Sequence, residues 1–442
     1  MRSNNKRPTD NKRCVATLNV QRTLNVRSTL NQKVQFQPQT ALFSCTHAKK
    51  TLPLQRKLKS MKNFVNKWIR ISRAFAAPQN LMPSIMTVVL GIGVGTFNLQ
   101  AGWGMCLISL LLGILAVIAV CLVHLGGNML DDYFDYKYDL LDYRKDLRKE
   151  GETAYTDKYT YLLDGTLTLA GLRRGITAFL GIAILFGLII FWFRGWTVVL
   201  IAALAAFLCF FYSAPPFKLG FHGLGELVIG LCFGPCLMCG VWESTTGALF
   251  SYEDGFHAIT PFTDGLAATF SWSTVTESFA HVNGFCWYIL ALGLAIGLFV
   301  TNILYTHSFL ERHVDSVSHK KTLAVVLKSD KLGLMAYAFF AFTPFALVIA
   351  FVGLGYIHWA YLFVCLMLPQ AIWVMWAMIM FSKGVDVPTE SPHKWLGPME
   401  NWDKIEPSNR YYLMRWYAMR NVNTGFCLIL IVVKIVLLIF NS

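Results

Sequence analysis

Asn128, Asp132, Asp135 and Asp139 stand at i, i+4, i+7 and i+11 in the stretch Asn-Met-Leu-Asp-Asp-Tyr-Phe-Asp-Tyr-Lys-Tyr-Asp that begins at position 128. On a helix turning about 100° per residue they share one narrow stripe; Asp142 continues it and Asp131 flanks it. The stripe follows the apolar run Met105 to Leu125, so carboxylates and an amide oxygen gather at the mouth of a membrane helix. Like charges at this spacing repel, and each costs about 2.5–3.5 kcal/mol at the centre of a bilayer helix. A bound cation removes both costs. Hard oxygen ligands with no nearby His or Cys suit Mg²⁺, which completes its shell with water and substrate phosphate. The other reading is a solvated acidic helix end offset by Lys137.

A second acidic pair, Glu311 and Asp315, lies at i, i+4 after the apolar run 285–306. His307 and His319 sit four residues to either side, a spacing that could also serve a transition metal. Pairing with Arg312 and Lys320 on a solvated helix is the bland alternative. Cys232, Cys236 and Cys239 share a helix face, as a soft-metal site or, more simply, as small packing residues.

These groups need elements to hold them. The chain has 442 residues, 55% hydrophobic and only 14% charged, which excludes an ordinary soluble domain. About nine runs approach the ~20 apolar residues that cross a bilayer. They fall near 80–98, 104–127, 175–193, 196–212, 225–242, 285–306, 334–353, 358–381 and 422–440. The expected fold is an all-α polytopic bundle. Net charge is +14, and its placement is informative. Lys and Arg crowd 131–174, 307–333 and 382–420, whereas Trp242 to Asn283 has none. Nine spans with a cytoplasmic N-terminus reproduce this alternation and put both acidic sites on the cytoplasmic face. The positive charge is thereby accounted for without a nucleic-acid partner. Eleven cysteines, mostly inside apolar runs, suggest no disulfide framework.

Residues 1–60 are basic and polar, with Asp10 as their single acid; this composition is expected to be disordered. They read as a transit-like segment or as an upstream extension of a misassigned start. Met61 then opens a basic amphipathic lead-in to the membrane domain, 61–442. Segment 140–174 is expected to form a helical hairpin or cap, and loop 243–283 to lie on or lid the outer side. Tyr212 to Glu226 reads as a rigid Pro/Gly turn.

Two acidic stripes, one after the second span and one after the sixth, resemble the UbiA superfamily of membrane prenyltransferases. Asn128, Asp132 and Asp135 match its first motif, and Asp131-Asp132-Tyr-Phe-Asp135 reads as DDxxD, the diphosphate–magnesium motif of soluble isoprenoid enzymes. Ser213-Ala-Pro-Pro-Phe-Lys218 resembles the family's turn before its fifth helix. Gly223-Leu-Gly-Glu226 and Lys320-Lys-Thr-Leu-Ala-Val-Val-Leu327 look most like the branch that prenylates 1,4-dihydroxy-2-naphthoate in menaquinone synthesis. The likeness covers about 70–440. Glu311 replaces a usual Asp, His307-Ser-Phe-Leu replaces Asn-x-x-Arg, and His319 replaces a Gly.

The resemblance implies a nine-helix bundle in a bacterial inner membrane and an allylic prenyl diphosphate donor. It also implies an aromatic quinone precursor as acceptor and Mg²⁺ as cofactor. One Mg²⁺ would fall to Asn128, Asp132 and Asp135, and a second to Glu311 and Asp315. Lys218, Lys320, Arg73 and Arg144 are candidates for the remaining phosphate oxygens, or plain positive-inside anchors. Other acceptors of the family (ubiquinone, chlorophyll, haem or lipid precursors) stay open. A cation or solute transporter is the reading from another class, since a cation path needs intramembrane carboxylates. Against it, both stripes lie on one face and most spans carry no charge at the midplane. A non-catalytic scaffold is the third reading.

Overall fold

In lipid a backbone must satisfy its own hydrogen bonds, so long apolar runs become helices. The computed structural model describes residues 61–137, 159–252, 282–317, 321–385 and 387–440. Among them eight helices are long and apolar enough to cross a membrane. The expected disorder of residues 1–60 and the roles given to Asp139, Asp142, Arg144, His319 and Lys320 lie outside the described residues, as does most of loop 243–283.

In chain order the helices are α1 (Pro78–Leu90), α2 (Trp103–Lys137), α3 (Leu169–Arg194), α4 (Trp196–Ser213), α5 (Gly225–Thr246) and α6 (Trp287–Leu310). Two short helices follow, α7 (Arg312–Val317) and α8 (Leu323–Leu327). The long helices α9 (Asp330–Gly353), α10 (Trp359–Ser382) and α11 (Pro407–Phe440) complete the bundle. The fold is therefore an all-α membrane bundle. A two-stranded antiparallel hairpin, β1 (Phe250–Tyr252) with β2 (Val282–Phe285), joins α5 to α6 and pairs Phe250 with Phe285.

Three boundaries differ from the sequence expectation. The first span was expected over 80–98, but α1 stops at Leu90 and is only about 20 Å long. Gly93 and Gly95 have positive φ, and residues 91–97 turn back on themselves through a Val94–Phe97 bridge. The third span starts earlier, at Leu169, because Thr168 caps it by accepting from the Gly171 N–H at 3.1 Å. The fifth runs on to Thr246, so Glu243 is helical rather than part of the loop; Gly247, left-handed at φ 61°, ends it.

Helices α5 and α6 are the centre of the bundle: 61% and 67% of their apolar windows are buried, against 17–33% for the other spans. Glycines let them approach. A Cβ on Gly234 would collide with the Gly293 and Gly297 backbone, and one on Gly230 with Thr301. Pro235 sits in the same contact, inside a π-helical turn at Cys232–Cys236. Gly234→Ala should therefore destabilise the fold by about 1–3 kcal/mol through overpacking. Gly181→Ala, which meets open space, should not. Thermal stability of the detergent-solubilised variants, followed by size-exclusion, checks the pair.

Candidate active site

Helix α2 runs unbroken through Lys137, so the expected stripe is real over its described part. Asp132 and Asp135 are buried, 1% and 4% exposed, which removes the solvated-helix-end reading for them. Lys137 is exposed.

The segment before α1 supplies their counter-charge. Arg73 Nη2 donates to Asp132 Oδ1, to Asp131 Oδ2 at 3.1 Å and to the Asn128 carbonyl at 3.0 Å. Its backbone is left-handed, φ 53°, a conformation that costs a non-glycine residue about 1–2 kcal/mol. Burial works against the charge on Arg73, but Asp132 and Asp131 outweigh it and raise its pKa. Asn128 Nδ2 donates to the Ser72 carbonyl at 3.0 Å, leaving Oδ1 as the amide atom that can take a cation.

Two more donors come from afar. Tyr161, in a single helical turn at Thr160–Leu163, donates to Asp132 Oδ2 at 2.9 Å. Burial first, and Asp132 next, raise the Tyr161 pKa, so this hydroxyl stays protonated. Ser213, the last residue of α4, donates to Asp131 Oδ1 at 2.8 Å. The 160–166 segment is in turn fixed by Lys67 on the Thr166 carbonyl and Arg70 on the Thr160 hydroxyl.

The second acidic pair is also buried, Glu311 at 7% and Asp315 at 1% exposure. It does not lie on one continuous helix. Helix α6 ends at Leu310, Glu311 is its C-cap, and α7 begins at Arg312. The Asp315 N–H still donates to the Glu311 carbonyl at 2.8 Å, so the turn keeps the two together. Arg312 goes to Asp330 at 2.8 Å and covers the Phe309 ring at 4.5 Å.

The two acidic regions lie at the same end of the bundle. Ser213 touches Asp131; the turn after it, with Lys218 half-buried at φ 42°, leads to His222, which bridges to Lys321. Buried Glu226 then accepts from the Leu323 N–H through both oxygens, at 3.3 and 3.2 Å. Gly223-Leu-Gly-Glu226 and Lys321-Thr-Leu323 are thus in contact. The sequence places Asp131 on the flank of the stripe and in the DDxxD motif, and Ser213 and Glu226 within motifs but not as site residues; Tyr161 it does not mark. For Glu226 a signal existed, because both motifs had been singled out; for Tyr161 there was none.

Among the described residues no group of three or more His, Cys, Asp or Glu side chains is assembled to hold a metal. The cysteine triad therefore does not form a metal centre there, and the His307 reading, which needs His319, lies outside the described residues. The oxygen donors of Asn128, Asp132, Asp135, Glu311 and Asp315 do fit Mg²⁺, which takes one or two carboxylates and fills its octahedron with water and phosphate. An apolar cavity of about 250 Å³ lies at the opposite end of α4, lined by Thr197, Leu204, Pro235, Cys236 and Phe250. It shares nothing with the acidic end.

Among known proteins, the model of the UbiA prenyltransferase family matches residues 84–386. The 2-carboxy-1,4-naphthoquinone phytyltransferase of Synechocystis sp. is 41% identical over 51 residues, 12% of this chain. The chain spans only 17% of that relative's length. The apo structure of a UbiA homolog from Aeropyrum pernix K1 is similar at 16% identity, over 81% of this chain and 97% of that one, with a TM-score of 0.48. A UbiA homolog from Archaeoglobus fulgidus bound to GPP and Mg²⁺ is similar at 14% identity, over 83% and 99%, with a TM-score of 0.44.

Proposed function

The chain belongs to the UbiA prenyltransferase family, and from that premise we propose that it moves a prenyl group from an allylic prenyl diphosphate to an aromatic acceptor in the membrane. The acceptor is 1,4-dihydroxy-2-naphthoate, and the product belongs to menaquinone synthesis. The naphthoquinone acceptor in the Synechocystis relative's name supports this choice within the family. The observation that carries the reading is four buried carboxylates, Asp132, Asp135, Glu311 and Asp315, at one end of a bundle of apolar helices. Ionisable side chains gathered at a membrane helix end read first as a functional site.

Asn128, Asp132 and Asp135 would hold one Mg²⁺, and Glu311 with Asp315 a second. Bound there, Mg²⁺ neutralises the charge that develops on the diphosphate as the allylic C–O bond breaks. Arg73 keeps Asp131 and Asp132 in place from one side, while Tyr161 and Ser213 hold their other oxygens. Lys218, five residues after Ser213, is assigned with Arg73 to phosphate oxygens; Arg144 and Lys320 take the same assignment. The apolar helices seat the prenyl chain and exclude water that would capture the allylic cation.

Purified protein should convert labelled allylic prenyl diphosphate and 1,4-dihydroxy-2-naphthoate into a lipid-soluble product, and EDTA should stop it. Absence of product with every prenyl length, together with cation flux in proteoliposomes, would replace this reading by a transporter.

The acidic end faces the cytoplasm of a bacterial inner membrane. An impermeant maleimide added from outside should label a cysteine placed at Asp264 and leave one at Ser316 unlabelled, relative to the native-cysteine background. Ser316 is exposed, so it would react if it faced outward. The reverse pattern inverts the topology.

A further inference from the structure

One buried polar cluster has no part in holding diphosphate. His124 lies on α2 four residues before Asn128, on the same stripe and about 6 Å deeper along the helix axis. It is 4% exposed, and the helix before it is apolar but for Ser109. Its Nδ1 is 2.9 Å from Asn80 Oδ1, and the Asn80 amide nitrogen points to the Cys121 sulfur at 3.9 Å. That orientation makes Nδ1 the donor and leaves Nε2 as an acceptor. Nε2 faces the Gln79 amide nitrogen across 3.3 Å, a long bond from a half-buried side chain. The Phe233 ring meets the imidazole edge-on at 4.8 Å. The cluster thus offers one fixed acceptor atom and an aromatic wall, just below the acidic end.

We propose that His124 recognises a ring hydroxyl of the prenyl acceptor, the hydroxyl donating to Nε2 in place of the Gln79 amide while Asn80 holds the ring's tautomer. The proposal rests on the prenyltransferase reading for the identity of the ligand. It explains why a buried polar cluster is kept between α1 and α2: a buried acceptor atom discriminates strongly against a ligand that cannot donate to it. A histidine that only pinned α1 to α2 would alter stability without discriminating between ligands.

The test is direct binding of 1,4-dihydroxy-2-naphthoate and of its dimethyl ether, which has the ring but no hydroxyl donor. Wild-type protein should prefer the dihydroxy compound by about tenfold to a hundredfold. In His124→Phe the preference should fall to within about threefold, and His124→Gln, which keeps an acceptor, should restore part of it. Prenyl diphosphate binding should be unchanged in both. If His124→Phe fails to fold, His124→Gln and Gln79→Leu carry the comparison, the latter expected to keep the preference. Equal binding of the two compounds by wild type, or an undiminished preference in the His124 variants, overturns the proposal. Discrimination at this site without any prenyl transfer would leave it standing and remove the reaction assigned above.

Discussion

Asp132→Asn and Asp315→Asn should each lower prenyl transfer by a hundredfold to a thousandfold or more, the order expected when a preorganised electrostatic partner of a leaving group is lost. Folding should survive. Asn at 132 keeps an oxygen for Arg73 or Tyr161, and Arg73 retains Asp131 at 3.1 Å. Asp315 keeps its backbone bond to Glu311 whatever its side chain. The two losses should not add, because both motifs act on one diphosphate. Glu311→Asp shortens the arm by one methylene and should keep activity with an altered Mg²⁺ requirement. Initial rates at saturating donor, normalised to folded protein, decide the matter. Near-wild-type turnover in either Asn variant would sink the two-site mechanism.

The first acidic stripe was legible because one property determines it: helical periodicity. Asn128, Asp132 and Asp135 fall on one face of any continuous helix, and α2 is continuous. The second was legible as a pair but not as a shape. Its break at Glu311 comes after α6 hands over to α7, with Arg312 drawn to Asp330 eighteen residues on. Periodicity carries no record of such a partner. Asp131 shows the same limit more sharply. It is off the stripe, and its place in the site comes from Arg73, 58 residues before it, and Ser213, 82 residues after. Hydropathy found the long spans but misplaced their ends, since Thr168 and the glycines after Leu90 act through backbone geometry rather than apolarity. The resemblance makes Arg73 a candidate phosphate ligand, or a plain membrane anchor. The structure gives it partners that charge could not name.

Those partners make Arg73 the most exposed test of the site's electrostatics. Arg73→Gln removes the cation shared by Asp131 and Asp132, and the two carboxylates then face each other with Asp132 almost wholly buried. Breaking a fully buried pair from one side costs about 3–5 kcal/mol. The Arg73 and Asp131 side chains are 23% and 19% exposed, so the loss should fall near or below the low end of that range. Mg²⁺ should recover much of it, because a divalent ion can replace the lost charge between the same oxygens. The double variant Arg73→Gln/Asp132→Asn should be more stable than Arg73→Gln alone, and its stability should depend less on Mg²⁺. Arg73→Lys keeps the charge but loses the planar fork that reaches three acceptors, and should lie between. In transfer assays Arg73→Gln should raise the donor KM more than it lowers kcat, since the same guanidinium is assigned to the diphosphate. Thermal unfolding with and without Mg²⁺, beside initial rates, measures all of these. Unchanged stability and unchanged KM in Arg73→Gln would reduce this residue to an anchor of the cytoplasmic face and remove it from the site's charge balance.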